Sequence, residues 1–368
     1  MTEIIPYVNL GAQWQSEKDE LWPIIEEIMS SGVLVGGRVI EDFEYKVAKY
    51  CNSKFCVALN SGTDALMCGL KALGVKAGDE VITPPNSFVA STAAIIHIGA
   101  IPVFVDVKGD QLIDPKKIKQ AITKKTKAIM PVHLTGKMAS MDEITEIAEE
   151  WSIPIIEDSA QSIGAKYNGA LSGSLGAVGC FSTHPLKNLN SSGDGGFIIS
   201  NDEELIIGVK EYRNHGIIDR NIVNNFGLVS RMDALQAAIL SFRLDKLNFI
   251  IEKRRQNASL YLENLNKAYI GTPIESKQDY IAYHTFVIQC EKRDQLAKYL
   301  LKNGVQTSVH YPRPIHLQPA ASGLGYKRGD FPMAELQSER ILTLPIHQYL
   351  SAEDIGKVSS LINNFYEK

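Results

Sequence analysis

The chain has 368 residues, of which 45% are hydrophobic and 22% charged, with a net charge of -4. Its length exceeds one typical core, so two subdomains are expected, and its slightly acidic balance argues against a nucleic-acid-binding protein. No apolar run reaches the ~20 residues needed to span a membrane, and Met1–Pro6 shows no secretory leader, so no membrane or nucleic-acid partner is expected.

After a short extended start, an amphipathic pattern runs from Gln15 to about Met29 and reads as a helix. Residues 30–37 break it; Gly32, Gly36 and Gly37 suit either a plain connector or a backbone that must approach a ligand closely. A second helical pattern spans 39–50. Phe55-Cys56-Val57-Ala58-Leu59 reads as a buried strand. Asn60-Ser61-Gly62-Thr63-Asp64 then leads into a helix from Ala65. Strand, small hydroxyl-rich turn and helix is how a helix N-terminus holds phosphate, with Ser61 and Thr63 adding donors. Ordinary N-capping explains the same residues.

Residues 80–85, with a stop at Pro84-Pro85, 101–107 and 126–133 read as strands. Helical patterns stand between them, one opening at 86–92 and one at 115–123. This alternation predicts parallel βαβ units and a sheet covered on both faces. Phe88 is either a core aromatic or a flat surface for a planar ring. The apolar run Ile153–Ile156 ends in Glu157-Asp158, with Gln161 three residues on. Ligands of open α/β sheets gather at the carboxyl ends of strands, although Asp158 also fits a helix N-cap.

Cys180-Phe181-Ser182-Thr183-His184-Pro185-Leu186-Lys187-Asn188 ends an apolar run in a turn with one lysine at its tip. Gly193-Asp194-Gly195-Gly196 returns the chain to the run Phe197-Ile198-Ile199. A lysine held in a pocket loses its proton more easily than one in water and forms Schiff bases. Beyond it lie a loop over 217–225, a long helical region from Ala234 to about Leu265, and strands, such as Thr285–Ile288, alternating with helices, such as Asp294–Lys302. His310-Tyr311-Pro312-Arg313 forms a rigid polar segment suited to a ligand wall. His310, His316 and His347 lack the spacing of metal ligands. Cys51, Cys56, Cys68, Cys180 and Cys290 form no Cys-x-x-Cys pair and read as reduced, buried cysteines of a cytoplasmic protein. The expected division is a large α/β domain over 1–250 and a smaller α+β domain over 251–368.

A phosphate-cradling turn, a strand-end aspartate and a turn-held lysine meet the three demands of pyridoxal phosphate. The phosphate needs an anchor, the ring nitrogen a carboxylate, and the aldehyde an amine. Here the chain resembles the DegT/DnrJ/EryC1/StrS family of nucleotide-sugar aminotransferases, within the fold-type I, aspartate aminotransferase-like enzymes. The resemblance is carried by Asn60-Ser61-Gly62-Thr63-Asp64-Ala65, Gly78-Asp79-Glu80-Val81-Ile82, Pro131-Val132-His133-Leu134 and Glu157-Asp158-Ser159-Ala160-Gln161. It continues through Phe181–Asn188, Gly193-Asp194-Gly195-Gly196, Ser230-Arg231-Met232-Asp233 and His310-Tyr311-Pro312.

The resemblance implies a mostly parallel central sheet and a homodimer with shared active sites. It gives Lys187 the Schiff base and the proton transfers, and Asp158 the pyridine nitrogen. It places Gln161 on the ring hydroxyl side and Phe88 against the ring. Ser61, Gly62, Thr63 and Ser182 take the phosphate. Val229 stands where the family often carries asparagine, which leaves Ser230 or a backbone group to reach the phosphate across the interface. Gly32, Gly36, His184, Arg220, Arg231, His310, Tyr311 and Arg313 fall on the substrate side, Arg231 from the partner chain, although plain surface charge explains Arg220 and Arg313 equally well. The implied reaction moves an amine from L-glutamate to a nucleotide-linked keto-sugar, with C3 preferred over C4 on the segment from His310 to Pro319. Two rivals share the scaffold. A sugar dehydratase replaces the lysine with histidine, and a non-catalytic regulatory protein would not need Lys187 or Asp158.

Overall fold

A computed structural model describes residues 4–367. Four strands hydrogen-bond in the order Phe55–Leu59, Gly196–Ser200, Val178–Ser182, Ile156–Asp158, and three more in the order Ile101–Phe104, Glu80–Thr83, Thr126–Ile129. Parallel bridges Ile129–Ile155 and Val132–Asp158 join the two groups into one sheet. Gly196–Ser200 runs antiparallel to both its neighbours, while the other pairings in this sheet are parallel.

Successive residues of a strand face opposite sides of the sheet, and the two cores follow that rule. Cys56, Ala58, Phe197, Ile199, Ile82 and Ile129 pack on one side. Val57, Leu59, Ile198, Val81 and Ala128 pack on the other. Burial on both faces explains why these strands read as unbroken apolar runs rather than alternating ones.

The helix Ala234–Asn264 is longer than the elements around it. Leu240, Leu244, Leu247 and Ile251 belong to the first core, and Ala258 and Tyr261 to a third. That third core also covers the antiparallel sheet Ile270–Gly271, Phe286–Cys290, Ile341–Leu344, with the helices Arg293–Lys302 and Ala352–Tyr366. Ile5 belongs to it too: its amide donates to the Gly304 carbonyl at 2.8 Å, and Gln306 returns a bond to the Ile5 carbonyl at 3.0 Å.

The expected loop at 217–225 holds a small antiparallel hairpin, Ile217–Asp219 with Ile222–Val223. Ile218, Ile222 and Val223 stay exposed on it, so no inward-facing stripe marked it in the sequence. No helix among the described residues is long and apolar enough to cross a membrane.

The carboxyl ends of Phe55–Leu59, Ile156–Asp158 and Val178–Ser182 point to one edge of the sheet. Because Gly196–Ser200 is reversed, its amino end reaches that same edge. The lysine-bearing segment 183–195 therefore only has to cross from one strand to its neighbour, and it is held where strand-end ligands collect.

Candidate active site

A cavity of about 330 Å³ opens at this edge. Of the residues singled out from the sequence, Ser61, Gly62, Thr63, Phe88, Asp158, Gln161, Ser182, His184, Lys187, His310 and Tyr311 line it. Gly32, Gly36, Arg220, Ser230, Arg231 and Arg313 do not line it within this chain. Gly32 and Gly36 sit in the loop after the helix Leu10–Ser31. Arg220 lies on the hairpin, and it, Arg231 and Arg313 are exposed. Ser230 is buried and exchanges hydrogen bonds with Asn60, accepting from its amide at 3.2 Å and donating to Oδ1 at 3.1 Å.

Ser61 caps the helix Gly62–Ala72, its Oγ accepting from the Asp64 amide at 3.1 Å. The amides of Gly62 and Thr63 make no hydrogen bond among the described residues. They are the free donors that every helix start carries, and here they stand beside the hydroxyls of Thr63 and Ser182. Two glycines let this turn seat against the strand ends. A Cβ on Gly62 would lie 2.6 Å from Ser182 Cβ, and one on Gly196 only 2.4 Å from the Ser61 carbonyl carbon. The arrangement fits a phosphate monoester: unpaired amides, the positive end of a helix dipole and two hydroxyls.

Lys187 sits on a tightly tied turn. Its own amide donates to the His184 carbonyl at 2.8 Å, and Asn190 Nδ2 to the Pro185 carbonyl at 2.8 Å. Asn190 pairs amide to amide with Gln13, and its carbonyl accepts from Arg243 Nη1 at 2.7 Å. Arg243 is in turn paired with Glu17 at 2.9 Å. The turn is thereby locked between two helices, and Lys187 Nζ carries no hydrogen bond or ion pair among the described residues. Burial lowers its pKa to about 8, the Asp158 charge acting against that fall.

Asp158 is buried. Ser91 Oγ donates to its Oδ2 at 2.6 Å and the Ala160 amide to its Oδ1 at 3.2 Å. Burial pushes this carboxyl up, and the bonds from Ser91 and Ala160 with the charges of Lys187 and His133 pull it back. Its neighbour Glu157 has a different task, taking amide bonds from Gly173, Leu175 and Gly176 and facing His133 Nε2 at 2.8 Å.

Phe88 keeps its ring open to the cavity, at 53% exposure, with Tyr311 tilted against it at 5.6 Å between centroids. An exposed aromatic in a cavity suits a planar ligand, which separates the two readings of this residue left open by sequence. Gln161 is fixed between the Thr135 amide at 2.9 Å and the Tyr311 hydroxyl at 3.3 Å. His310, His316 and His347 go to separate partners: Thr343 Oγ1, Glu335 and the Pro6 carbonyl.

Sequence reasoning missed Ser91, Gln13, Asn190, His284 and Arg254. Ser91 had a signal, because it stands three residues after Phe88 on the same helical face. Asn190 stands three residues after Lys187 in the same turn; Gln13, His284 and Arg254 come from distant segments and had none. A free amine, a buried carboxylate, a phosphate-fitting turn and an open aromatic ring share one cavity, the set that pyridoxal phosphate requires.

Residues 15–363 match the sequence profile of the DegT/DnrJ/EryC1/StrS aminotransferase family. The chain belongs to this family. It is 40% identical to the pleiotropic regulatory protein of Geobacillus stearothermophilus, over 98% of each chain. It is 36% identical to the dTDP-3-amino-3,4,6-trideoxy-alpha-D-glucose transaminase of Streptomyces venezuelae, over 100% of this chain and 97% of that one. It is 35% identical to the UDP-2-acetamido-2-deoxy-3-oxo-D-glucuronate aminotransferase of Pseudomonas aeruginosa, over 98% and 100%. The crystal structure of S. venezuelae DesV, in complex with a ketimine intermediate, superposes with a TM-score of 0.97 at 36% identity over the whole of both chains. A Bacillus subtilis structure with bound cofactor PMP superposes with a TM-score of 0.89 at 33% identity, over 96% of this chain and 82% of that one. This DegT/DnrJ/EryC1/StrS protein is an aminotransferase of fold type I, and its cofactor is pyridoxal phosphate.

Proposed function

We propose that this aminotransferase moves an amino group from L-glutamate to the C3 keto group of a nucleotide-linked sugar, in the cytoplasm, as a homodimer with shared sites. The observation that carries the reading is the unpaired Lys187 amine sharing one cavity with the Asp158 carboxylate. Pyridoxal phosphate, when bound, supplies the aldehyde that accepts the amine and the ring that spreads negative charge from the reacting carbon.

The chain's own groups do the rest. Lys187 Nζ, its pKa lowered by burial to about 8, is available both as the amine that holds the aldehyde and as a base at the donor's α-carbon. Asp158 would hold a proton on the ring nitrogen. Gly62, Thr63 and Ser182, with Ser61, would hold the phosphate, and Phe88 would offer its open face to the ring. Gln161 would meet the ring hydroxyl side. A lysine rather than a histidine at 187 favours transamination over dehydration. One relative is named as a regulatory protein, but a non-catalytic role would not require Lys187 and Asp158 to face a common cavity.

Three features support the finer points. Two relatives are named for sugars with the amine or keto group at C3. At about 330 Å³ the cavity is at the small end for a single ligand. It must hold cofactor and sugar, so further walls are needed. Apolar surface that a second copy would cover is exposed at Val33, Leu34 and Val35, at the hairpin residues Ile218, Ile222 and Val223, and at Phe226, which is 98% exposed. Val35 bridges Asp233 and Val229 bridges Asn214, which ties these loops to the segment carrying Ser230 and Arg231. The proposal gives Gly32, Gly36, Arg220 and Arg231 to the partner's site, and His184, His310, Tyr311 and Arg313 to the sugar nucleotide of their own.

The test is mass spectrometry of products from a panel of 3-keto and 4-keto sugar nucleotides with L-glutamate. A mass gain of one transamination on the 3-keto sugars, with 2-oxoglutarate formed, is expected. Amination confined to 4-keto sugars overturns the C3 choice, and amination with other amino acids but not glutamate overturns the donor.

A further inference from the structure

Three arginines are buried among the described residues. Two carry a carboxylate: Arg243 on Glu17 at 2.9 Å and Arg293 on Asp294 at 2.5 Å. Arg254, on the helix Ala234–Asn264 and 9% exposed, forms no ion pair among the described residues. Its Nη1 donates to the carbonyls of Tyr283 at 3.2 Å and His284 at 3.1 Å. Its Nε is buried with no partner, and its Nη2 makes no hydrogen bond either. The Nε–Nη2 edge, which meets a carboxylate through two parallel N–H bonds, is therefore unused.

Arg254 lines the same cavity as Lys187. Burial lowers its pKa to about 10, which leaves it charged at neutral pH. An unpaired charge in such a place is costly to the fold, and the cavity offers it no internal partner. Of the two carboxylates that line it, Asp158 is bonded to Ser91 and Ala160, and Asp194 is exposed. Beside Arg254, His284 Nδ1 is also buried without a partner. Burial and the nearby cations hold that imidazole neutral, so one ring nitrogen can donate.

We propose that the Nε–Nη2 edge of Arg254 binds a carboxylate of the amino donor, and of the oxo acid it becomes, with His284 as a second contact. The inference rests on the reading that an amino acid supplies the amine. A nucleotide diphosphate is the other anion of the reaction. Its base must extend out of the cavity, which draws its phosphates toward the mouth and away from a group as enclosed as Arg254.

The probe is glutarate, which has both carboxylates and no amine, compared with its neutral diamide, glutaramide. Binding to the holoenzyme is read by calorimetry and by thermal shift. Glutarate should bind and stabilise the wild type where glutaramide does not. Arg254→Gln should lose about tenfold or more in glutarate affinity. Arg254→Lys, which keeps the charge but not the paired geometry, should fall between, and UDP and dTDP should bind all three proteins alike. Equal glutarate affinity in Arg254→Gln overturns the proposal, as does a loss of UDP or dTDP affinity in place of glutarate. Should the glutamine variant not fold, the wild type and Arg254→Lys decide it: no preference for glutarate over glutaramide, or equal glutarate affinity in the two, overturns it. These arms need no turnover. Glutarate binding through Arg254 without amine uptake from L-glutamate would sink the glutamate reading alone.

Discussion

Lys187 and Asp158 are shifted in opposite directions by one cause. Burial penalises both charges, lowering the lysine and raising the aspartate, and each charge relieves the other. The lysine's pKa of about 8 lies below its ordinary 10.5. Its contribution to stability is thus fully present above 10.5 and lost as the pH falls through about 8. Cofactor-free wild type should gain stability relative to Lys187→Met as the pH is raised across that window, read from denaturant melts. A pH-independent difference would show that Lys187 is solvated. Ser91→Ala removes a 2.6 Å bond to the Asp158 carboxylate, a charge-assisted bond of about 1.5–3 kcal/mol. That bond favours the ionised form, so its loss raises the Asp158 pKa. The glutamate half-reaction should slow most at acid pH, its acid limb moving upward, and melting should fall by a few degrees; an equal fall in rate at every pH would place the defect elsewhere. The sequence showed Lys187 and Asp158 through their motifs, but it marked Ser91 only by its place three residues after Phe88, a signal too faint to single it out. Nor did it separate Arg254 from Arg255. Only packing does, since Arg255 pairs with Glu275 at 2.6 Å and stacks over Tyr280.

At the scale of elements, apolar runs and turn residues were enough to place the strands Glu80–Thr83, Thr126–Ile129 and Phe286–Cys290 and the helices Arg38–Tyr50 and Arg293–Lys302 to within a few residues. Direction was not legible. Phe197-Ile198-Ile199 reads the same in a parallel or an antiparallel strand, and the reversal of Gly196–Ser200 follows from the shortness of segment 183–195. The meeting of Gly196 with Ser61 depends on that reversal. Gly196→Ala would drive a methyl into the Ser61 backbone and should cost roughly 1–3 kcal/mol of stability. It should also weaken pyridoxal phosphate binding, because the displaced turn carries the free Gly62 and Thr63 amides. Denaturant unfolding and cofactor titration test this; unchanged values for both would mean that the turn gives way without loss.

At the scale of the molecule, the sequence marked the fold through its motifs, while the proposed homodimer rests on exposed surface that carries no signature of its own in one chain. If Arg231 serves the partner's site and Lys187 its own, Lys187→Ala and Arg231→Ala homodimers should both be poor enzymes. Mixed dimers hold one site with both defects and one with neither, so mixing should restore activity. No recovery after verified subunit exchange would mean that Arg231 does not act across the interface. A different long-range joint lies within the chain. Ile5 pairs with residues 304–306, and Tyr7 and Asn9, just beyond it, are walls of the cavity. A ribosome makes one end of that joint about 300 residues before the other. Contacts so far apart in sequence form late. During synthesis the lysine loop and its sheet are therefore complete while one wall of the cavity is still missing, and the emerging chain stays open to cofactor from that side until the last fifth or so has left the ribosome.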